Sequence, residues 1–125
     1  MITKDMALDA LATVVNRSGA GFVYPYQESG APCVYVANGE PSCGVAQALD
    51  LLGVDREVLA SMDSRNSDQN GPVSARAIKT MVPEIEITRA ACWVLDSFQQ
   101  KQDAGATWGL ALTEARYRHT EFQED

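Results

Sequence analysis

Apolar positions recur at helical spacing near the start of the chain, where Leu8, Leu11, Val14 and Val15 share one face of residues 3–17 and the stretch SGAG at 18–21 ends the run. That face belongs in a core. The next segments alternate instead. FVYPY sets Phe22, Tyr24 and Tyr26 on one side of an extended chain, CVYVA at 33–37 alternates in the same way, and the turn-rich QESGAP lies between them. The pattern predicts an antiparallel hairpin of these two segments. Pro25 lacks an amide donor and marks its strand as an edge, and Asn38-Gly39 supplies a tight turn before the next helix.

Helical spacing returns with Val45, Ala46, Leu49 and Leu52, for which Ser42 is the predicted N-cap and Gly53 the stop. A short helix over 56–62 follows, capped by Asp55, with Val54 placed to staple onto Leu59. Residues 63–73, DSRNSDQNGPV, are polar and contain Asn70-Gly71-Pro72, so they read as a flexible internal loop. SARAIKTMVP predicts one or two helical turns ending before Pro83. Beyond Thr88, the positions Ala91, Val94, Leu95 and Phe98 define a helix to about Asp103, stopped by Gly105. A last helix starts after Thr107, with Trp108, Ala111, Leu112 and Ala115 inward until about His119. These two form a helical hairpin, and the polar residues 120–125 read as a frayed tail.

Composition adds limits to this outline. A chain of 125 residues with 46% hydrophobic and 22% charged side chains suits one domain, 1–125, with a single core. The predicted class is α+β, mainly α-helical with a small antiparallel β-hairpin. No apolar run approaches a bilayer span, and Asp5 and Asp9 interrupt the N-terminal stretch where a secretory signal needs unbroken apolar residues. The reading is cytoplasmic, with no membrane. Three cysteines, Cys33, Cys43 and Cys92, form no close pair, which favours reduced thiols over a disulfide framework.

A net charge of -7, from 10 basic and 17 acidic residues, repels phosphate backbones and argues against nucleic acid as a partner. Neither half hides a basic pole: residues 1–60 carry 3 basic and 7 acidic side chains, and residues 61–125 carry 7 and 10.

Candidate chemistry is sparse. Cys43 sits at the predicted start of a helix, where the dipole and open amides favour a thiolate, so a Cys43-dependent hydrolase or transferase is one alternative. It lacks marked support, because His119 is the one histidine and no third group is positioned by sequence to orient it. Cys33, Cys43, Cys92 and His119 are too widely spaced for the close ligand pairs of structural zinc sites, and no phosphate-binding loop is present; no catalytic residue, cofactor or metal is expected.

VAQALDLLGVDREVLASMDS resembles the turn of a helix-turn-helix, which makes a DNA-binding regulator using residues 45–64, with Arg56 and Arg65 as contacts, a second alternative. Its candidate recognition helix mixes those arginines with Asp55, Glu57 and Asp63, a poor match to a phosphate-lined groove. Tyrosines bring large contact area at low entropic cost. Tyr24, Tyr26 and Tyr35 on the hairpin, with Trp93 just off the Ala91 to Phe98 stripe, therefore form the preferred candidate interaction surface.

Two stretches, YVANGEPSCGVAQALDLLGV and QDAGATWGLAL, carry a resemblance. The Tyr35-Val36 strand, the Gly-x-Pro-Ser-Cys entry into a helix at 39–43 and the later Gly-x-x-Trp-Gly at 105–109 are similar to small uncharacterised proteins of actinobacteria and their phages. The resemblance implies a phage or prophage setting inside a bacterial host cell and brings no activity or catalytic residue with it. Each motif residue also has a structural reading: Pro41 and Ser42 start a helix, Gly53 turns the chain, and Gly109 permits close approach of a neighbour. The sequence thus favours a non-enzymatic, acidic binding or regulatory protein acting through protein contacts, with a host protein as partner and self-association left open.

Overall fold

The computed structural model describes residues 1–25, 34–65 and 72–124. Thr3 caps the first helix, α1 (Lys4–Ser18), its Oγ1 accepting from the Met6 amide over 3.2 Å. Ala7, Ala10, Leu11, Val14 and Val15 face inward, and Gly19 ends the helix at a φ of 96°. Leu8 is only half-buried beside that face.

The described hairpin is smaller than the expected one and uses a different partner. β1 (Val36–Ala37) pairs antiparallel with β2 (Glu40–Pro41), in the register Val36 to Pro41 and Ala37 to Glu40. Asn38 and Gly39 both have positive φ, 54° and 78°, the geometry of a two-residue turn whose twist matches its strands. The expected pairing of 22–26 with 33–37 is corrected. Phe22 to Pro25 form no strand, because their end of the chain serves α6 (Trp108–Glu121) instead: Trp108 N–H donates to the Phe22 carbonyl and Gly109 N–H to that of Ala20, each at 2.8 Å. A Cβ on Gly109 would lie 2.9 Å from Ala20, so the close approach expected of that glycine is present, against a loop. Tyr26 and Cys33 lie outside the described residues.

α2 (Gly44–Leu51) begins one residue later than expected, with Cys43 rather than Ser42 as N-cap and no side-chain cap bond from it. Its exit is a Schellman turn in which Val54 N–H reaches the Leu49 carbonyl and Gly53, at φ 92°, bonds to that of Asp50. α3 (Arg56–Ser61) follows under the Asp55 cap. Residues 66–71 of the expected loop are outside the described set; its ends are anchored by Asp63, Arg65 and the buried Val73. A 3-10 turn (Ala75–Ala77) leads into α4 (Ile78–Met81), in line with the one or two turns expected there.

Thr88 caps α5 (Arg89–Asp103), which packs along α6 as the most extensive helix pair of the fold, joined by the short connection at 104–107. α5 also contacts α1, α2 and the 3-10 turn, and so lies at the centre of a mainly helical α+β domain. Its buried positions include Asp96, Ser97, Gln99 and Gln102 beside the expected apolar stripe. The two glutamines are satisfied by neighbouring elements, Gln99 Oε1 accepting from Ala75 N–H and Gln102 Oε1 from Gly44 N–H, both at 2.9 Å, while Ser97 Oγ donates to the Val94 carbonyl and Asp96 accepts from Gln100 Nε2 within α5.

The end of the chain departs from the frayed tail expected at 120–125. α6 continues to Glu121, Phe122 stacks on Trp93 with ring centroids 5.6 Å apart, and Glu124 accepts from Lys4 N–H at 2.7 Å and Thr88 Oγ1–H at 2.5 Å. A carboxylate at the α1 N-terminus suits the open amides and the helix dipole there. At the other end, Ile2 forms a parallel bridge with Ile87, its N–H donating to the Glu86 carbonyl at 2.8 Å. No described helix is long and apolar enough to cross a membrane.

Candidate functional site

Of the aromatic residues expected to form a contact surface, Tyr24 and Tyr35 lie in the core. Tyr35 is fully buried, its hydroxyl donating to the Val73 carbonyl and accepting from Gln99 Nε2 at 2.9 Å. Tyr24 is 5% exposed, with its hydroxyl 2.6 Å from Ser42 Oγ and its ring stacked beside Trp108. Both are core residues, because a phenol whose hydroxyl finds a partner is stable inside. Trp93 is half-buried under Phe122 and borders a cavity of about 50 Å³ with Asp96, Lys101, Glu114 and Arg118. Tyr24, Tyr35 and Trp93 are not gathered into one exposed patch, and Tyr26 lies outside the described residues.

The other candidates are also accounted for. Arg56 pairs with Glu40 at 3.0 Å and Asp50 at 3.4 Å, and Arg65 forms a two-pronged pair with Glu84, so both guanidinium groups are directed at carboxylates. α3, the second helix of the expected corner, is 6 residues long. Cys43 is fully buried beneath the hairpin, whereas His119 Nε2 lies 2.5 Å from Asp5 Oδ1. Among the described residues, no solvent-facing thiol stands beside the imidazole. Among the described residues, no group of three or more His, Cys, Asp or Glu side chains is placed to hold a metal ion.

The structure presents a different feature, a groove running across one face of the molecule. The Ile2–Ile87 bridge sets Met1 beside the segment 84–86 to form one wall. The Schellman turn at Gly53 turns Leu52 and Val54 toward it, and α3 adds Val58, enclosing a depression of about 460 Å³. A second depression of about 370 Å³ lies between α1 and the end of α2, lined by Met6, Asp9, Ala10, Thr13, Leu51 and Leu52. Met6 and Leu52 border both, so the two adjoin. Met1 is 66% exposed and Met6 and Leu51 each 39%, a set of large apolar side chains turned to solvent.

The rim is acidic. Asp9, Asp55, Glu84 and Glu86 line the two depressions, and no Lys, Arg or His does. The Arg65 hydrogen bonds hold the Glu84 carboxyl down to about 2, so its charge persists and is paired. Among the described residues, no salt bridge joins Asp9, Asp55 or Glu86 to a basic side chain.

Sequence reasoning passed over these residues because it followed the stripes that enter the core. Met6 and Leu51 are apolar residues just off those stripes, and large apolar side chains on two helix flanks were the available signal. The acids of the rim come from three separate segments, α1, the α2–α3 turn and 84–86, and become neighbours only in the fold. Comparison with known proteins adds no identification: no family model, curated protein or solved structure matches this chain.

Proposed function

We propose that the protein acts as a non-enzymatic binding or regulatory protein, docking a protein partner in the groove between α1, the α2–α3 turn and the segment 84–86. The observation that carries this reading is the adjacency of two depressions around Met6 and Leu52, the smaller of them mainly apolar, with Met1 and Leu51 exposed beside them. Contact with a partner removes such surface from water, and methionine side chains adapt to varied apolar shapes. The tyrosine patch is replaced in this reading by aliphatic and thioether groups. The resemblance to proteins of actinobacteria and their phages supports a setting in the bacterial cytoplasm, with a host protein as partner.

The test is site-specific photo-crosslinking in bacterial cells. A crosslinking residue at position 51 is expected to trap a discrete protein, with the adduct lost when Met6→Asp is added; one at position 116, on the exposed outer side of α6, is the control. Equal adducts from both positions, or adducts unaffected by Met6→Asp, would overturn the reading.

A further inference from the structure

We infer that the occupant of the groove is a basic amphipathic helix of the partner, presenting apolar side chains on successive turns and Lys or Arg along its flanks. The inference rests on the docking reading above and specifies its ligand. Shape is the first argument. The groove divides into two adjoining depressions, of about 460 and about 370 Å³, which share Met6 and Leu52. Two adjoining hollows, one mainly apolar and one of mixed lining, suit anchors one or two turns apart on a helix, spaced at i, i+3 or i+4, and i+7. A partner strand would need a run of unpaired backbone amides to extend, whereas these walls are chiefly helix and turn side chains from α1, the α2–α3 turn and α3.

Charge is the second argument. The lining holds four carboxylates and no Lys, Arg or His, so the α-amino group of Met1 is the one cation set against them among the lining residues. Glu84 is already paired with Arg65, which leaves Asp9, Asp55 and Glu86 at separate points of the rim without a basic partner among the described residues. Cations on both flanks of an apolar helix face would meet these acids while its anchors fill the hollows, and an acidic helix would be repelled by the same groups and by the net charge of -7. Apolar burial supplies the attraction, and the rim supplies the selectivity.

The experiment titrates the intact protein, labelled with 13C at its methionine methyl groups, with three synthetic helical probe peptides. One carries leucines on one face and lysines on the other; the second replaces every Lys by Glu; the third keeps the lysines and replaces the leucines by serine. The Lys–Leu probe is expected to shift the Met1 and Met6 methyl signals and to bind at least tenfold more tightly than either other peptide. Asp9→Lys with Glu86→Lys, both exposed positions, is expected to weaken that probe at least tenfold while leaving the unfolding midpoint nearly unchanged.

Equal binding of the Glu–Leu probe overturns the basic character of the occupant, and equal binding of the Lys–Ser probe reduces the effect to general charge attraction and overturns the inference. Silence of the Met1 and Met6 methyls overturns it also. If the crosslinker at position 51 nevertheless traps a discrete partner in the Met6-dependent manner described, the groove stands as a docking site and only its helical, basic occupant is rejected. Failure of both experiments removes both.

Discussion

The backbone amide of Gly44 donates to Oε1 of Gln102 over 2.9 Å, so the first turn of α2 is capped by a side chain from the middle of the chain's second half. Ser42, the nearest residue with a capping hydroxyl, is held by Tyr24 and does not serve. Gln102 is 2% exposed, and its replacement by leucine leaves the Gly44 N–H buried without an acceptor. An unsatisfied buried donor costs about 1–3 kcal/mol. Gln102→Leu is therefore expected to lower stability by that amount in denaturant unfolding; a change near zero would mean that water or another acceptor takes over the amide.

Gly44 carries a second constraint. A Cβ at this position would collide with the ring of Phe98, and the ring is itself held against Trp108 at a centroid distance of 5.8 Å. In an open helical site, Gly→Ala stabilises by about 0.5–1 kcal/mol. Here overpacking wins, and Gly44→Ala is expected to destabilise by about 1–3 kcal/mol. Thermal unfolding of Gly44→Ala alone and combined with Phe98→Leu checks the cause, since the smaller side chain should recover part of the loss.

Helices were legible in the sequence because their apolar stripes and caps are local: Thr3, Asp55, Thr88 and Thr107 cap the elements that follow them, and Gly19 and Gly53 take positive φ where helices end. The hairpin was misplaced because the alternation around Tyr24 and Tyr35 reports burial, and two tyrosines can be buried by a loop as well as by a strand. Asn38-Gly39 was the stronger local signal, and the strands form around it. The buried polar side of α5 was not legible at all. Gln99 and Gln102 look like solvent-facing residues until the 3-10 turn and α2 are packed against them, and the groove likewise depends on the Ile2–Ile87 bridge, which joins segments distant in sequence.

Tyr35 ties three segments together: its hydroxyl bonds to the Val73 carbonyl and Gln99 Nε2, while its own amide donates to Asp63 at 2.7 Å. Tyr35→Phe keeps the ring and removes the hydroxyl from a fully buried site. The expected loss is about 1–2 kcal/mol, read from chemical denaturation. Amide hydrogen exchange should rise at Val73 and Ala75, which depend on this cluster, more than at α6; uniform exchange would show that the hydroxyl has no local anchoring role.

Two carboxylates give the acid response opposing slopes. Glu84 is held down to about 2 from an ordinary 4.5, chiefly by its hydrogen bond from Arg65, so the unfolded chain takes up that proton first. Its contribution to stability is complete above about pH 4.5 and is lost as the pH falls toward 2. Asp63 behaves in the reverse sense, because burial raises its pKa above 3.8 despite the amide bonds from Tyr35 and Val36. Its contribution is complete below pH 3.8 and declines as the pH rises through the raised value. Glu84→Gln is accordingly expected to lower the melting temperature at pH 6 and to converge with the unsubstituted protein near pH 2. Asp63→Asn removes part of the opposing slope, the remainder staying with Asp103, whose carboxyl burial also raises, and leaves a protein that loses stability more steeply on acidification. Melting curves by circular dichroism from pH 7 to pH 2 decide the matter: parallel profiles for Glu84→Gln and the parent would show that the Arg65 pair contributes nothing that titrates.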